Sequence, residues 1–364
     1  MFDRRLIENL DWGLLFLTLF LCGVGLVTIY SAVSGTVHAD LYLKQWVWYG
    51  AGLGAVLFIC LLDYKSLERW AYPIYSLCMG LLVAVLFAGK LVGGSRRWLA
   101  LGPLTLQPSE LAKIAVVLVL ARFFARRIKL EGFRLRELGV PLALTALPFG
   151  LIVQQPDLGT GLVLLLIAGS MTLFVKIERR SLAALSILGG LAASVGFFFL
   201  KDYQRQRILT FLDPDRDPMG AGYHIIQSKI AIGSGMIHGK GLFQGTQNTL
   251  AFLPEQHTDF IFSVLAEEWG FIGAFVVCLA FFFLLARGLG IAFACRDHFG
   301  TILAIGATAM IFWQALINLG MVMGLMPVVG MPLPLVSYGG SSILTIMVCI
   351  GLLANVSMRR FVVR

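Results

Sequence analysis

Apolar stretches of about 20 residues recur along this chain from end to end, and no other feature constrains its fold so tightly. One helical crossing of a bilayer takes about 20 such residues. The 364 residues therefore have room for about ten crossings, with some 160 residues left for connections. The stretches lack the period-two alternation of barrel strands, so helices are expected, because they satisfy their own backbone polar groups in lipid. Composition agrees: 58% of residues are hydrophobic and 13% charged, against about 25% charged in a soluble domain. Mean hydropathy is +0.85. A soluble enzyme, a disordered chain and a single-span anchor are excluded.

The first apolar run follows Arg4 and Arg5 but is too long for a signal peptide and has no small-residue cleavage site after it, so it is expected to remain as a span. Of six cysteines, five lie in apolar runs and Cys295 in a short basic loop. None pairs at metal-ligand spacing, so they are expected to be buried small hydrophobes with no disulfide framework.

Candidate spans lie near residues 12–33, 45–62, 71–89, 108–125, 140–156, 158–175, 181–200, 261–286, 299–325 and 337–357. The expected fold is an all-α polytopic membrane protein of about ten transmembrane helices, a single domain over residues 1–364. An even number puts both termini on one side. With that side cytoplasmic, the inner segments hold seventeen basic residues: Arg4, Arg5, Lys65, Arg69, Arg126, Arg127, Lys129, Arg134, Arg136, Lys176, Arg179, Arg180, Arg287, Arg296, Arg359, Arg360 and Arg364. The short outer loops hold Lys44, Lys90, Arg96 and Arg97. This asymmetry is the positive-inside pattern. The net charge of +9 is thus a topology signal, and no nucleic-acid partner is expected.

Residues 201–260 form a large extracytoplasmic loop between the seventh and eighth helices, far longer than a connector needs. Six basic and six acidic residues balance there, and Tyr223, Ile225, Ile226, Ile230 and Ile232 supply apolar surface. Tyr223 to Ile232 is expected either to lie at the interface as an amphipathic helix or to re-enter the protein.

Charged side chains inside spans cost roughly 2.5–3.5 kcal/mol each at the helix centre, so they mark a pairing or a polar cavity. Glu110 and Lys113 open the fourth span behind Pro108, and their i, i+3 spacing puts them on one face. They are either a self-contained ion pair or the lining of a water-filled cavity. In the eighth span, Glu267 and Glu268 interrupt an apolar helix and are expected to pair inside the bundle. Asp259 stands at that helix's mouth with Glu255 and His257, where Thr258 or Asp259 is a candidate cap. Gln155-Pro156-Asp157 makes a tight outer turn, and Gly93-Gly94-Ser95-Arg96-Arg97-Trp98 sets two arginines, suited to phosphate, beside an indole. Gly324 to Ser342 is a broken segment rich in Pro, Gly and Ser that needs protein around it at membrane depth. His38, His224, His238 and His298 are isolated and are given no ligand role.

Taken together, Gly94-Ser95-Arg96-Arg97-Trp98-Leu99, Gln107-Pro108-Ser109-Glu110, Gln155 to Thr160, Leu253 to Glu268 and Pro334 to Ser342 resemble the SEDS family of shape, elongation, division and sporulation proteins over nearly the whole chain. Within it, Gly239-Lys240-Gly241, Gly245-Thr246-Gln247 and Pro254 to Phe262 are more similar to elongation members than to division members. The resemblance implies a peptidoglycan glycosyltransferase in the bacterial cytoplasmic membrane. It would polymerise lipid II on the extracytoplasmic side and release undecaprenyl pyrophosphate, beside a class B penicillin-binding protein that crosslinks the glycan. Asp259 matches the residue the family requires; Arg97, Trp98, Glu110 and Lys113 match positions around its central cavity.

The chemistry fits those residues. A carboxylate can take the proton of an acceptor hydroxyl. Charge developing on a departing diphosphate calls for cations, for which Arg96, Arg97 and Lys113 are candidates, or for a divalent metal, Mg²⁺ or Mn²⁺, whose ligands are not readable. Two other readings are a lipid II flippase, which needs polar residues along its whole route, and a scaffold that only recruits the crosslinking partner.

Overall fold

The computed structural model describes residues 8–34, 39–92, 95–101, 104–128, 131–213, 216, 220–249 and 255–360. Arg4, Arg5, Lys129 and Arg364 of the charge tally, His38, Gly93, Gly94, Leu253 and Pro254 lie outside them.

Helices dominate. They are α1 (Trp12–Val33), α2 (Asp40–Leu61), α3 (Tyr64–Ala88), α4 (Pro108–Ala125), α5 (Gly139–Gln154), α6 (Leu158–Phe174), α7 (Arg179–Phe198), α8 (Asp202–Leu212), α9 (Ala221–Ser234), α10 (Thr246–Thr249), α11 (Ile261–Ala294), α12 (His298–Val322) and α13 (Gly340–Arg359). Each expected span coincides with one of these helices. Among the described residues, seven helical stretches are long and apolar enough to cross a membrane: α1, α3, Leu135–Gln154, α7, α11, α12 and α13. α4 carries Glu110, Lys113 and Arg122, α6 has 17 residues, and α2 opens on Asp40, Lys44 and Gln45.

Aspartates start several helices. Asp11, Asp63 and Asp297 accept from Leu14, Lys65 and Gly300 amides at 3.0 Å each, which satisfies donors that a helix leaves orphaned. Pro108 occupies the first turn of α4, as expected. α4, α12 and α13 form the centre. α4 is apolar on nearly every side and almost wholly buried, as befits a helix enclosed by others. α7 stands apart, and among its described side chains Ser181 is the buried one.

The polytopic helical architecture is as expected, and one small sheet accompanies it. Lys90–Val92 (β1), Ser95–Leu101 (β2) and Leu104–Leu106 (β3) form an antiparallel sheet in the order β1-β2-β3. Trp98 pairs with Lys90, and Leu99 with Leu106. The cysteine reading needs a correction, since Cys278 is exposed on α11 while Cys22, Cys78 and Cys349 are buried.

α11 runs to Ala294, beyond the 286 expected, but it is broken at Gly270, whose φ of +66° is non-helical. The loop after α9 fills the break. Phe271 N and Ile272 N donate to Met236 O (2.8 Å) and Ile237 O (3.2 Å), while Lys240 N and Gly241 N reach Glu267 O and Glu268 O at 3.0 Å. Backbone groups freed by a kink at membrane depth thus find partners inside the protein. Glu267 and Glu268 are both buried and pair outward from α11. Glu267 Oε1 meets Lys240 Nζ at 2.6 Å and the Thr246 and Gln247 amides, while Glu268 accepts from Ser31 Oγ of α1 at 2.5 Å. α9 packs rather than floats: its Ser228 hydroxyl is 2.8 Å from Ser263 Oγ and donates to Val322 O at 2.6 Å.

Candidate active site

A cavity of about 370 Å³ opens where the N-terminal ends of α4, α6, α11 and α13 meet. Four segments of chain build its wall. The turn before α11 contributes Glu255, Thr258 and Asp259; β2 contributes Arg97 and Trp98; α4 and the residue before it contribute Gln107 and Glu110; the α5–α6 turn contributes Asp157. Gly330 to Pro332 and Tyr338 to Ser342 close the remaining side, with Trp48 of α2.

Asp259 is not a helix cap. α11 begins at Ile261 after Phe260, with no side-chain cap bond. Glu255, in a left-handed conformation (φ +51°), turns its carbonyl to receive the Thr258, Asp259 and Phe260 amides at 3.1–3.4 Å. That turn lifts the Asp259 carboxylate off the helix axis toward the cavity. Asn318 of α12, fully buried, fixes it there: its Nδ2 donates to Asp259 O at 2.9 Å and to Met331 O at 2.6 Å. Gly330 (φ +75°) leaves the space, since a Cβ on it would stand 3.3 Å from Asp259 Oδ2. Burial, and then the nearby Glu255 charge, push the Asp259 pKa up to about 6, against a hydrogen bond from Thr258 and the attraction of Arg207.

Arg97 is held by the turn it faces. Its Nε donates to Gln155 O at 3.2 Å, another nitrogen donates to Pro156 O, and Nη1 stands 3.7 Å from Asp157 Oδ1. Asp157 caps α6 through the Thr160 amide (3.4 Å) and accepts from Gln107 Nε2 at 3.2 Å. Arg96 is exposed and does not line the cavity. Lys113 Nζ meets Glu110 Oε1 at 2.7 Å with none of its side chain exposed, so it lies behind Glu110 and off the wall. The ion pair and the cavity lining therefore coexist. Glu110 Oε2 is buried without a hydrogen-bond partner. Among the described residues no three His, Cys, Asp or Glu side chains are grouped to hold a metal ion by themselves.

The broken segment before α13 is pinned from α2. Gln45 Nε2 donates to Ser337 O at 3.2 Å, the Tyr49 hydroxyl donates to Leu335 O, and Tyr338 N reaches His257 O at 2.9 Å. Ser341 joins this side to the sheet, since its hydroxyl donates to Thr105 O at 3.2 Å and accepts from Gln107 N at 3.3 Å. Sequence reasoning brought Asp259, Arg97, Trp98 and Glu110 to one cavity. It missed Gln107, Trp48, Tyr338 and Asn318. The Asn318 amide inside an apolar span is a signal of the same kind that marked Glu110.

The relatives share this architecture. The MrdB peptidoglycan glycosyltransferase of Escherichia coli K12 is 42% identical over 356 residues, covering 97% of this chain and 94% of its own. Stage V sporulation protein E of Bacillus subtilis is 39% identical, over 95% and 96%. Among solved structures, a chain of a peptidoglycan synthase complex that coordinates polymerization and crosslinking superposes with a TM-score of 0.83 at 36% identity, over 97% and 98%. The rod shape determining protein RodA of Thermus thermophilus gives 0.72 at 32%, over the same shares. The FtsW/RodA/SpoVE profile, described as cell cycle protein, matches residues 12–361, and the chain belongs to that family, the SEDS family its motifs resemble.

Proposed function

We propose that this glycosyltransferase polymerises lipid II into glycan strands at the outer face of the bacterial cytoplasmic membrane, with Asp259 as general base. The observation that carries the reading is the Asp259 carboxylate itself, which faces a polar cavity beside Arg97 and takes no part in capping α11. With a pKa of about 6 it is mostly ionised at neutral pH and still basic enough to accept a proton.

In the step proposed, Asp259 takes the proton from the 4-hydroxyl of the acceptor GlcNAc as that oxygen bonds to the anomeric carbon of the donor. The bond from that carbon to diphosphate breaks, and undecaprenyl pyrophosphate leaves with the electron pair. Arg97, preorganised by the Gln155 and Pro156 carbonyls, sets a cation on the wall for the developing charge. Trp98 offers an indole face to a sugar ring. Arg96, exposed on the same strand, meets the diphosphate from outside, and Lys113 acts through Glu110 as a positioning residue. Mg²⁺ or Mn²⁺ belongs to the same proposal. Glu110, with its unpartnered oxygen, and Asp157 would hold it, because such ions are commonly bound through one or two carboxylates plus substrate phosphates. The ion supplies Lewis-acid neutralisation of the leaving group.

The flippase reading is disfavoured by depth. Below Lys113, α4 buries Ile114 to Leu120 with no polar side chain, so this helix offers no polar route past the cavity floor. The solved complex described as coordinating polymerization and crosslinking supports a class B penicillin-binding protein as partner. The test is a gel assay of glycan made by the purified protein from lipid II and a divalent salt, with and without that partner. Glycan from the protein alone, or with an inert partner, supports the polymerase; glycan only with a catalytically competent partner supports the scaffold.

A further inference from the structure

At the end of α4 away from the Asp259 cavity lies a second pair of openings. Glu110 lines the first cavity and Arg127 follows the last turn of the same helix. Seventeen residues of helical rise separate them by about 26 Å, nearly the hydrocarbon thickness, so the second site belongs to the opposite leaflet. One opening is an apolar groove of about 400 Å³ between α5, α6 and α7, walled by Phe149, Ala168, Gly169, Leu173 and Leu185 among others. Its hydroxyls are spent within their own helices. Thr145 donates to Pro141 O (2.9 Å), Thr172 to Ala168 O (2.6 Å) and Ser186 to Leu182 O (3.0 Å), so the groove presents methyl and methylene groups.

The other opening adjoins it and carries charge. Arg127 and Arg136 line it with Phe133, Glu137 and Val140. Both arginines are exposed and make no ion pair among the described residues, and Arg127 is braced over the Phe123 ring at 4.3 Å. Glu137 turns one carboxylate oxygen to the Arg134 amide at 3.0 Å. The openings meet at a short bridge, where Phe133 N donates to Lys176 O (2.9 Å) and Glu178 N to Phe133 O (3.1 Å), with Phe133 in one wall and Ile177 in the other. Arg179 and Arg180 add two cations at the start of α7, where the helix dipole disfavours them.

We infer that this paired site binds one anionic diacyl phospholipid of the leaflet opposite the Asp259 cavity, its phosphate over Arg127 and Arg136 and one acyl chain in the α5–α6–α7 groove. The groove's length selects that occupant. From Leu138 to Phe149 it follows α5 for about 16 Å, the depth of one leaflet. An acyl chain matches this, whereas an undecaprenyl chain is several times too long. Guanidinium groups suit the phosphodiester, and a net-negative headgroup is favoured over a zwitterionic one by surface charge of this sign.

Native mass spectrometry of the intact protein, titrated with dioleoyl phosphatidylglycerol, dioleoyl phosphatidylcholine or undecaprenyl phosphate, tests the inference. Retention of one phosphatidylglycerol at a concentration about tenfold below that needed for phosphatidylcholine is expected. Arg127→Gln/Arg136→Gln should erase that preference. Gly169→Leu should lower occupancy by any diacyl lipid, since a Cβ at Gly169 meets nothing within 4 Å and the larger side chain grows into the groove. Equal retention of the two diacyl lipids, an undiminished preference in the double arginine variant, or displacement of phosphatidylglycerol by equimolar undecaprenyl phosphate overturns the inference. The arginine variants alter exposed side chains only, so the test stands even where Gly169→Leu fails to fold.

Discussion

Glu255→Gln is the perturbation whose consequence follows most directly from the site. Asp259 is raised to about 6 first by burial and second by the Glu255 charge. If ionised Asp259 is the base, the rate falls about tenfold per pH unit below that value, so that at pH 5 about one-tenth of the plateau remains. Glutamine keeps the amide oxygen that can accept from Thr258 Oγ1, now 3.2 Å from Glu255 Oε2, and removes only the charge. The ionised form of Asp259 then costs less, and the acid limb moves to lower pH. It does not reach the ordinary 3.8, because burial, the larger cause, is unchanged. Initial rates of glycan formation, measured from about pH 4.5 to 8 and normalised to each plateau, read this directly. The variant should keep the larger fraction of its activity at pH 5. A native limb near pH 4, or a limb that stays put or rises in Glu255→Gln, refutes the reasoning.

Three further outcomes are expected. Lys113→Met strands the buried Glu110 charge and should cost about 3–5 kcal/mol of stability, while the double variant Glu110→Gln/Lys113→Met recovers most of it, as read by thermal unfolding of purified protein; an additive double variant would contradict the pairing. Gly270→Ala should lower the melting temperature sharply, because its Cβ would fall 2.2 Å from Gly239 N at a φ of +66°, and expression at native stability would show that the kink is dispensable. Asn318→Leu leaves the Asp259 and Met331 carbonyls without their donor, costing about 1–3 kcal/mol for each that stays buried. Its rate at saturating lipid II should drop more than its apparent substrate affinity, and an unchanged rate would remove Asn318 from the positioning of Asp259.

The spans were legible because lipid leaves a chain little choice: an apolar stretch of bilayer length must be a helix. Glu110 and Lys113 were legible for the same reason, charge being costly where the sequence puts it. The sheet from Lys90 to Leu106 was not, since strands of three and seven residues give too little alternation to stand out beside 22-residue helices. In the sequence, the dipeptides Gly93-Gly94 and Gly102-Pro103 were the available signal. The capping alternative for Asp259 fails for a tertiary reason, because the Glu255 turn and the Asn318 clamp hold it off the helix, and no local pattern encodes a partner 59 residues away. Gly270 reads as one more small residue in an apolar run until residues 235–247 are seen to pack into the break.

Asp259→Asn combines the site and its energetics in one experiment. The native carboxylate prefers its proton in the folded state, so the stability this gives is present below pH 3.8 and lost as pH rises through about 6. At pH 7.5 the asparagine variant, which has no charge to bury, should therefore melt no lower than the native protein while making no glycan from lipid II. Glycan produced at a rate comparable to native would contradict the account at its centre.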